Sequence, residues 1–193
     1  MLHNKHFLIL QEFLGDYTKE VYGRGLTGKI PLSQKSLALT LGELEKKGIL
    51  ISKEQGNMKY YKLNLRNSEL RDFLACAEIL KKIEFFSKNR KIAQVFGHDT
   101  RIIGIFGSHA KSRATAHSDI DVFIIGNKKK EKYEERGKNF DLNISTKYFS
   151  EEDFKKLMQN KNPLCKEIIE SHILISGFEQ FISLIWRHYY GFT

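Results

Sequence analysis

The stretch from Phe106 to Ile125, FGSHAKSRATAHSDIDVFII, holds residue types that handle phosphate. An apolar run, Ile102 to Phe106, ends at Gly107-Ser108. Ten residues later Asp119-Ile120-Asp121 opens a second apolar run, Ile120 to Ile125. Residues i and i+2 of a strand point to one face, so Asp119 and Asp121 are expected side by side. Two carboxylates that close repel unless a cation sits between them, and an oxygen-only pair of this kind suits Mg²⁺. Gly107 lets the backbone approach a ligand closely. Ser108 offers a hydroxyl at the start of a helix, where free N–H groups favour phosphate. A cation-holding pair one step from a phosphate-sized gap is the equipment of phosphoryl or nucleotidyl transfer.

These residues need a strand ending at Gly107, a short helix and a second strand. From Arg101 onward the pattern reads in that order, then a charged loop around Lys128-Lys129-Lys130 and a third strand over Lys138 to Ser145. On that strand Phe140, Leu142 and Ile144 are expected to face the core, and Asp141 and Asn143 the carboxylate pair. Glu131, Glu134 and Glu135 lie in a lysine-rich stretch and read as solvated, and His117 reads as loop. A helix capped by Ser150 has Asp153 three residues on. A second helix starts at Pro163, a short apolar run covers His172 to Ile175, and a last helix runs from Phe178 to Tyr190.

The first half is patterned differently. Leu2 to Leu14 suits an amphipathic helix, and Thr18 is a cap for a second short helix toward Tyr22. Ser33 caps a stronger helix with Leu37, Leu41 and Leu44 on one face. Ile49 to Lys53 and Met58 to Leu63, around Gly56-Asn57, read as a hairpin. Asn67 to Phe96 continues as one helical pattern with Leu70, Phe73, Leu74, Ala77, Leu80 and Ile83 as its apolar stripe. The expected organisation is therefore α+β, with an N-terminal domain over residues 1–66, a connecting helix over 67–97 that suits pairing into a homodimer, and a C-terminal domain over 98–193.

Roughly Arg101 to Ile175 resembles the minimal nucleotidyltransferase branch of the DNA polymerase β-like nucleotidyltransferase superfamily. Its signature of Gly-Ser, ten residues, Asp-x-Asp is met without a gap. The resemblance implies a small mixed sheet with flanking helices, and Asp119, Asp121 and Asp141 as catalytic carboxylates and Mg²⁺ ligands. It implies Gly107, Ser108, Lys111, Arg113 and Ser118 as the nucleotide site, and ATP or another NTP as the donor of an NMP to a hydroxyl. Many relatives read Gly-Ser-Arg-Ala-Arg-Gly, where this chain has His109 and Lys111-Ser112. The minimal branch is similar to the antitoxin half of HEPN–MNT toxin–antitoxin pairs, which makes a HEPN-type protein an expected partner. The first half, from Leu32 through the hairpin, resembles winged helix-turn-helix regulators. That likeness implies operator DNA as a partner, with Gln34, Lys35, Ser36 and Thr40 toward base edges and Lys53, Lys59 and Lys62 on phosphates. The competing expectation is a winged-helix transcription regulator whose C-terminal domain senses nucleotide without turnover.

Composition agrees with a basic, globular chain. Residues 1–97 carry 17 Lys/Arg against 10 Asp/Glu, and residues 98–193 carry 15 against 13, so most of the excess charge sits in the first half, which suits either a nucleic-acid-binding half or a solubilising surface. Cys76 and Cys165 lack metal-like spacing, no apolar run is long enough to span a bilayer, and the start shows no small-residue cleavage site. A cytoplasmic chain with no membrane partner is the expectation.

Overall fold

The computed structural model describes residues 2–115, 118–127 and 133–192. The expected loop at Lys128-Lys129-Lys130, and His117 and Glu131, lie outside the described residues. The chain mixes helices with two small sheets and divides into two compact units, residues 1–77 and 78–193. Among the described residues, no helix is long and apolar enough to cross a membrane.

The first unit opens with α1 (Asn4–Leu10), which buries Ile9 and Leu10. The helix expected from Thr18 is absent. Asp16 Oδ1 instead accepts from the backbone N and the hydroxyl of Thr18 (2.9 and 2.6 Å), making a turn, and Val21–Tyr22 form strand β1. A β-branched residue and an aromatic fit a pleated surface, and here they pair with Tyr61 and Tyr60. Ser33 caps α2 (Gln34–Lys46) by accepting from Ser36 N, and Leu37, Leu41 and Leu44 are buried as the pattern requires. Strands β2 (Leu50–Gln55) and β3 (Met58–Leu63) form the expected hairpin, and β3 lies between β1 and β2 in an antiparallel sheet.

The single long helix expected over residues 67–97 is two helices, α3 (Leu70–Lys88) and α4 (Arg90–Val95), parted at Asn89, whose side chain donates to Phe85 O at 2.8 Å. Its apolar stripe also departs from expectation: Ile83 is exposed and Glu78 is buried. Glu78 survives there by pairing with His172 (Nε2 to Oε1, 2.8 Å), whose Nδ1 donates to Ile168 O and Ile169 O.

The second unit is built on a mixed sheet in the order β6-β5-β4-β7, from β4 (Ile102–Phe106), β5 (Ile120–Ile125), β6 (Ile144–Phe149) and β7 (Ile173–Ser176). Strand β4 is antiparallel to both β5 and β7, whereas β5 and β6 are parallel. Ile103, Ile105, Ile120, Val122, Ile124 and Ile144 form one packed face. Alternation sends Phe123 to the other face, where its ring meets Phe106 and Phe181 of α9 (Phe178–His188) at 6.2 and 5.9 Å. Helices α7 (Glu151–Gln159) and α8 (Pro163–Glu170) start where Ser150 and Asn162 cap them.

The expected third strand over Lys138 to Ser145 is corrected by the structure. Tyr133–Lys138 is a helix, α6, and the strand begins only at Ile144. Gly137 disguised the helix, since glycine reads as a breaker. It is there for space: a Cβ on it would lie 2.9 Å from Ile144 side-chain atoms.

Candidate active site

Strand β4 is buried along its whole length, which anchors its last residue beside β5. The register then sets Phe106 opposite Asp121. Directly after Phe106 the chain turns at Gly107 with φ +70° and enters the one-turn helix α5 (Gly107–Ala110). A Cβ on Gly107 would stand 2.6 Å from Asp121 Oδ2. The backbone is thus pressed against the carboxylate, and only glycine provides both the dihedral and the space.

Beyond α5, Arg113 and Ser118 bond back to this turn. Arg113 N donates to Ser108 O at 2.9 Å, Thr115 N donates to Ser118 Oγ at 2.8 Å, and His109 Nε2 lies 3.3 Å from Ser118 O, a carbonyl to which it donates. The Ser118 hydroxyl therefore closes the loop just ahead of Asp119. Ser108 is half-buried and its hydroxyl has no hydrogen-bond partner among the described residues. Lys111 pairs with Glu167 of α8 at 2.5 Å, while Arg113 is exposed.

Asp119 is exposed and Asp121 half-buried. Asn143 Nδ2 donates to Asp119 Oδ1 at 2.9 Å, and Ile120 N donates to Asn143 O at 2.8 Å, so the segment leading into β6 steadies the pair. Burial holds the Asp121 carboxyl above its usual range. Of the nearby charges, Lys147 pulls it down most, Asp119 and Glu167 push it up, and His109 lowers it slightly. Among the described residues no three His, Cys, Asp or Glu side chains gather tightly enough to hold a metal by themselves. Two carboxylates whose remaining positions are filled by phosphate oxygens and water is how Mg²⁺ is commonly held, and Asp119 and Asp121 fit that role.

Asp141 does not occupy the strand position expected of it. It is exposed, at φ +59° in the turn after α6, and Asp121 stands opposite Ser145. Sequence reasoning gave Ser145 no role and missed Lys147 because it ended the strand at Ser145, whereas β6 runs on to Phe149. Once the strand starts at Ile144, residues 145 and 147 fall on the Asp121 face. Glu167 was missed as well, since nothing in its local pattern points across to β5.

In the first unit the expected DNA-facing residues separate. Gln34 and Lys35 are exposed on α2, whereas Ser36 is half-buried. Thr40 is a correction: it is fully buried and donates to Ser36 O at 2.7 Å, because a helical threonine readily bonds back to the preceding turn. The hairpin lysines are exposed in part but ion-paired. Lys53 and Lys62 lie 2.6 and 3.9 Å from Glu20, and Lys59 lies 2.7 Å from Glu45.

The Polymerase beta, Nucleotidyltransferase family matches residues 81–180, a span containing the turn at Gly107, both aspartates and β6. The chain belongs to that family. Nucleotidyl transfer is accordingly its activity at the family level, and the mixed sheet just described is its nucleotidyltransferase domain. No curated protein and no solved structure matches the chain at a significant level.

Proposed function

We propose that the second unit transfers a nucleoside monophosphate, AMP from ATP, to an acceptor hydroxyl with a divalent cation, Mg²⁺, at Asp119 and Asp121. The observation that carries this reading is the Gly107 backbone packed against a half-buried Asp121 beside Asp119. The acceptor oxygen bonds to the α-phosphorus, the bond from that phosphorus to the bridging oxygen breaks, pyrophosphate leaves, and the hydroxyl proton passes to solvent. When bound, the cation would neutralise the triphosphate charge and polarise its oxygens. The rest falls to this chain's residues. Asp119 and Asp121 hold the charge that orients the triphosphate. The free Ser108 hydroxyl donates to a phosphate oxygen. Arg113 balances phosphate charge, and Lys111 adds to it while still paired with Glu167. Ser118 and His109 keep the loop shut.

The acceptor in this reading is a hydroxyl on a separate protein, the chemistry of the HEPN–MNT pairs that the minimal branch resembles. The first unit, with α2 beside a three-stranded antiparallel sheet, is read as a winged helix that binds operator DNA through Gln34 and Lys35. Its paired hairpin lysines make phosphate contact weaker than their number suggests. Ile79 and Ile83, exposed one turn apart on α3, are the surface a second copy would cover. One observation favours a second reading, a regulator that senses nucleotide without turnover: Ser145, not a carboxylate, faces Asp121.

Labelled ATP, CTP, GTP and UTP with Mg²⁺ and the protein encoded next to this one separate the two. Label transfer that is lost in Asp119→Ala and Asp121→Ala supports the enzyme. Tight nucleotide binding with no transfer to any acceptor supports the sensor.

A further inference from the structure

Register decides which side chains flank the carboxylate pair. Parallel pairing sets Asp121 opposite Ser145 and Phe123 opposite Lys147, and cross-strand partners share a face. Asn143, of the same parity just before the strand, already donates to Asp119. Among the described residues the β6 side of the pair is therefore an amide, a hydroxyl and an ammonium, with no carboxylate. From the α8 side, Glu167 reaches toward the pair but is held by Lys111 at 2.5 Å. Two cations about 3.5–4 Å apart, one on the attacking oxygen and one on the leaving group, need anionic ligands on both sides. Among the described residues, the unpaired carboxylates of this site lie on one side only.

We propose that Lys147 stands where a second, acceptor-side divalent cation would sit, so that the site takes a nucleoside triphosphate with one divalent cation. This rests on the nucleotide reading above. An ammonium is a compact charge with three donors and no lone pair. It offsets part of the Asp121 charge from the β6 edge and repels another cation there. It also has room to act, since Lys147 is exposed and has no ion-pair partner among the described residues. Lys147 is thus a positioning residue for the phosphates and the aspartates.

The test counts cations rather than turnover. The full chain is dialysed to equilibrium with Mn²⁺ and a non-hydrolysable ATP analogue, and protein-bound Mn²⁺ is measured by electron paramagnetic resonance. One Mn²⁺ per chain is expected, unchanged in Asp141→Asn. Two are expected in Lys147→Glu, a surface change that leaves the core intact, and in the double variant Ser145→Asp/Lys147→Ala. Two Mn²⁺ in the natural chain overturn the proposal and leave the nucleotide reading standing, and loss of one of them in Asp141→Asn would return that residue to the site. One Mn²⁺ in Lys147→Glu, with the analogue still bound, overturns the role given to Lys147. Failure to retain either analogue or Mn²⁺ overturns both this proposal and the nucleotide reading.

Discussion

Replacing Gly107 by alanine tests the contact on which the site is built. Two effects add at this position. The residue sits at φ +70°, which costs a side chain roughly 1–2 kcal/mol. The new methyl would also stand 2.6 Å from Asp121 Oδ2, closer than real contacts allow, so the carboxylate must swing away. The end of a short side chain moves at modest cost, and the expected loss of stability is therefore about 1–3 kcal/mol in total. For a domain of this size that lowers Tm by several degrees. The binding loss is expected to be larger, at least tenfold in Mn²⁺-analogue affinity, because the displaced group is the proposed cation ligand. Gly28→Ala supplies the control: Gly28 has φ +83°, and its added Cβ would meet nothing within 4 Å. Calorimetric titration and thermal unfolding of both variants separate dihedral strain from displacement of Asp121. If Gly107→Ala destabilises no more than Gly28→Ala and binds the analogue within twofold of the natural chain, the close approach of backbone and carboxylate has no part in binding.

Asp121→Asn is expected to abolish cation binding while raising stability by roughly 0.5–1 kcal/mol at neutral pH, since it removes a half-buried charge and, secondarily, its repulsion from Asp119 and Glu167. Because the folded Asp121 carboxyl lies above its ordinary 3.8, its ionisation costs stability as pH rises through that range, and the gain in the variant should vanish below pH 4 in urea titrations. Glu78 behaves oppositely. Burial raises it, but the charges of His172 and Lys81 and the His172 hydrogen bond together hold it below its ordinary 4.5. Its contribution is present above that value and lost as pH falls through the lower folded one. Glu78→Ala, which leaves His172 buried alone, is expected to cost about 3–5 kcal/mol in denaturant unfolding. In the first unit, Glu20→Gln frees Lys53 and Lys62, so non-specific DNA affinity at low salt should rise severalfold and fall more steeply with added salt. Unchanged affinity and salt slope would mean the hairpin does not meet phosphate.

The geometry of the Gly107 turn and the aspartate pair was legible because it is local. Gly-Ser, the loop and Asp-x-Asp lie on one continuous stretch, and the alternation of β5 placed both aspartates without help from the rest of the chain. Residues brought in by pairing between distant segments were not legible. Asp141 looked like a strand residue because apolar residues alternate around it, and the true start at Ile144 depends on Gly137 fitting beneath Ile144. Glu78 was invisible for the same reason: nothing near it in sequence announces His172. Val21-Tyr22 passed as helix because only Tyr60 and Tyr61, far along the chain, make them a strand. Thr40 showed a polar side chain at a helical spacing, and burial of that side of α2 overrode its polarity.

The parallel pairing of β5 with β6 has a further consequence, for the order in which the molecule assembles. Strands β4 and β5 are antiparallel neighbours joined only by residues 107–119, so Gly107 and both aspartates meet through short-range closure, the fast kind. Strand β6 must first be carried back by a crossover through α6 before Lys147 can arrive, and contacts that close longer loops form later. Pulse-labelled hydrogen exchange during refolding should therefore protect β4 and β5 amides ahead of those in β6. The refolding chain then passes through an interval in which the two aspartates face each other without their lysine, and divalent cations present during refolding would be captured there first.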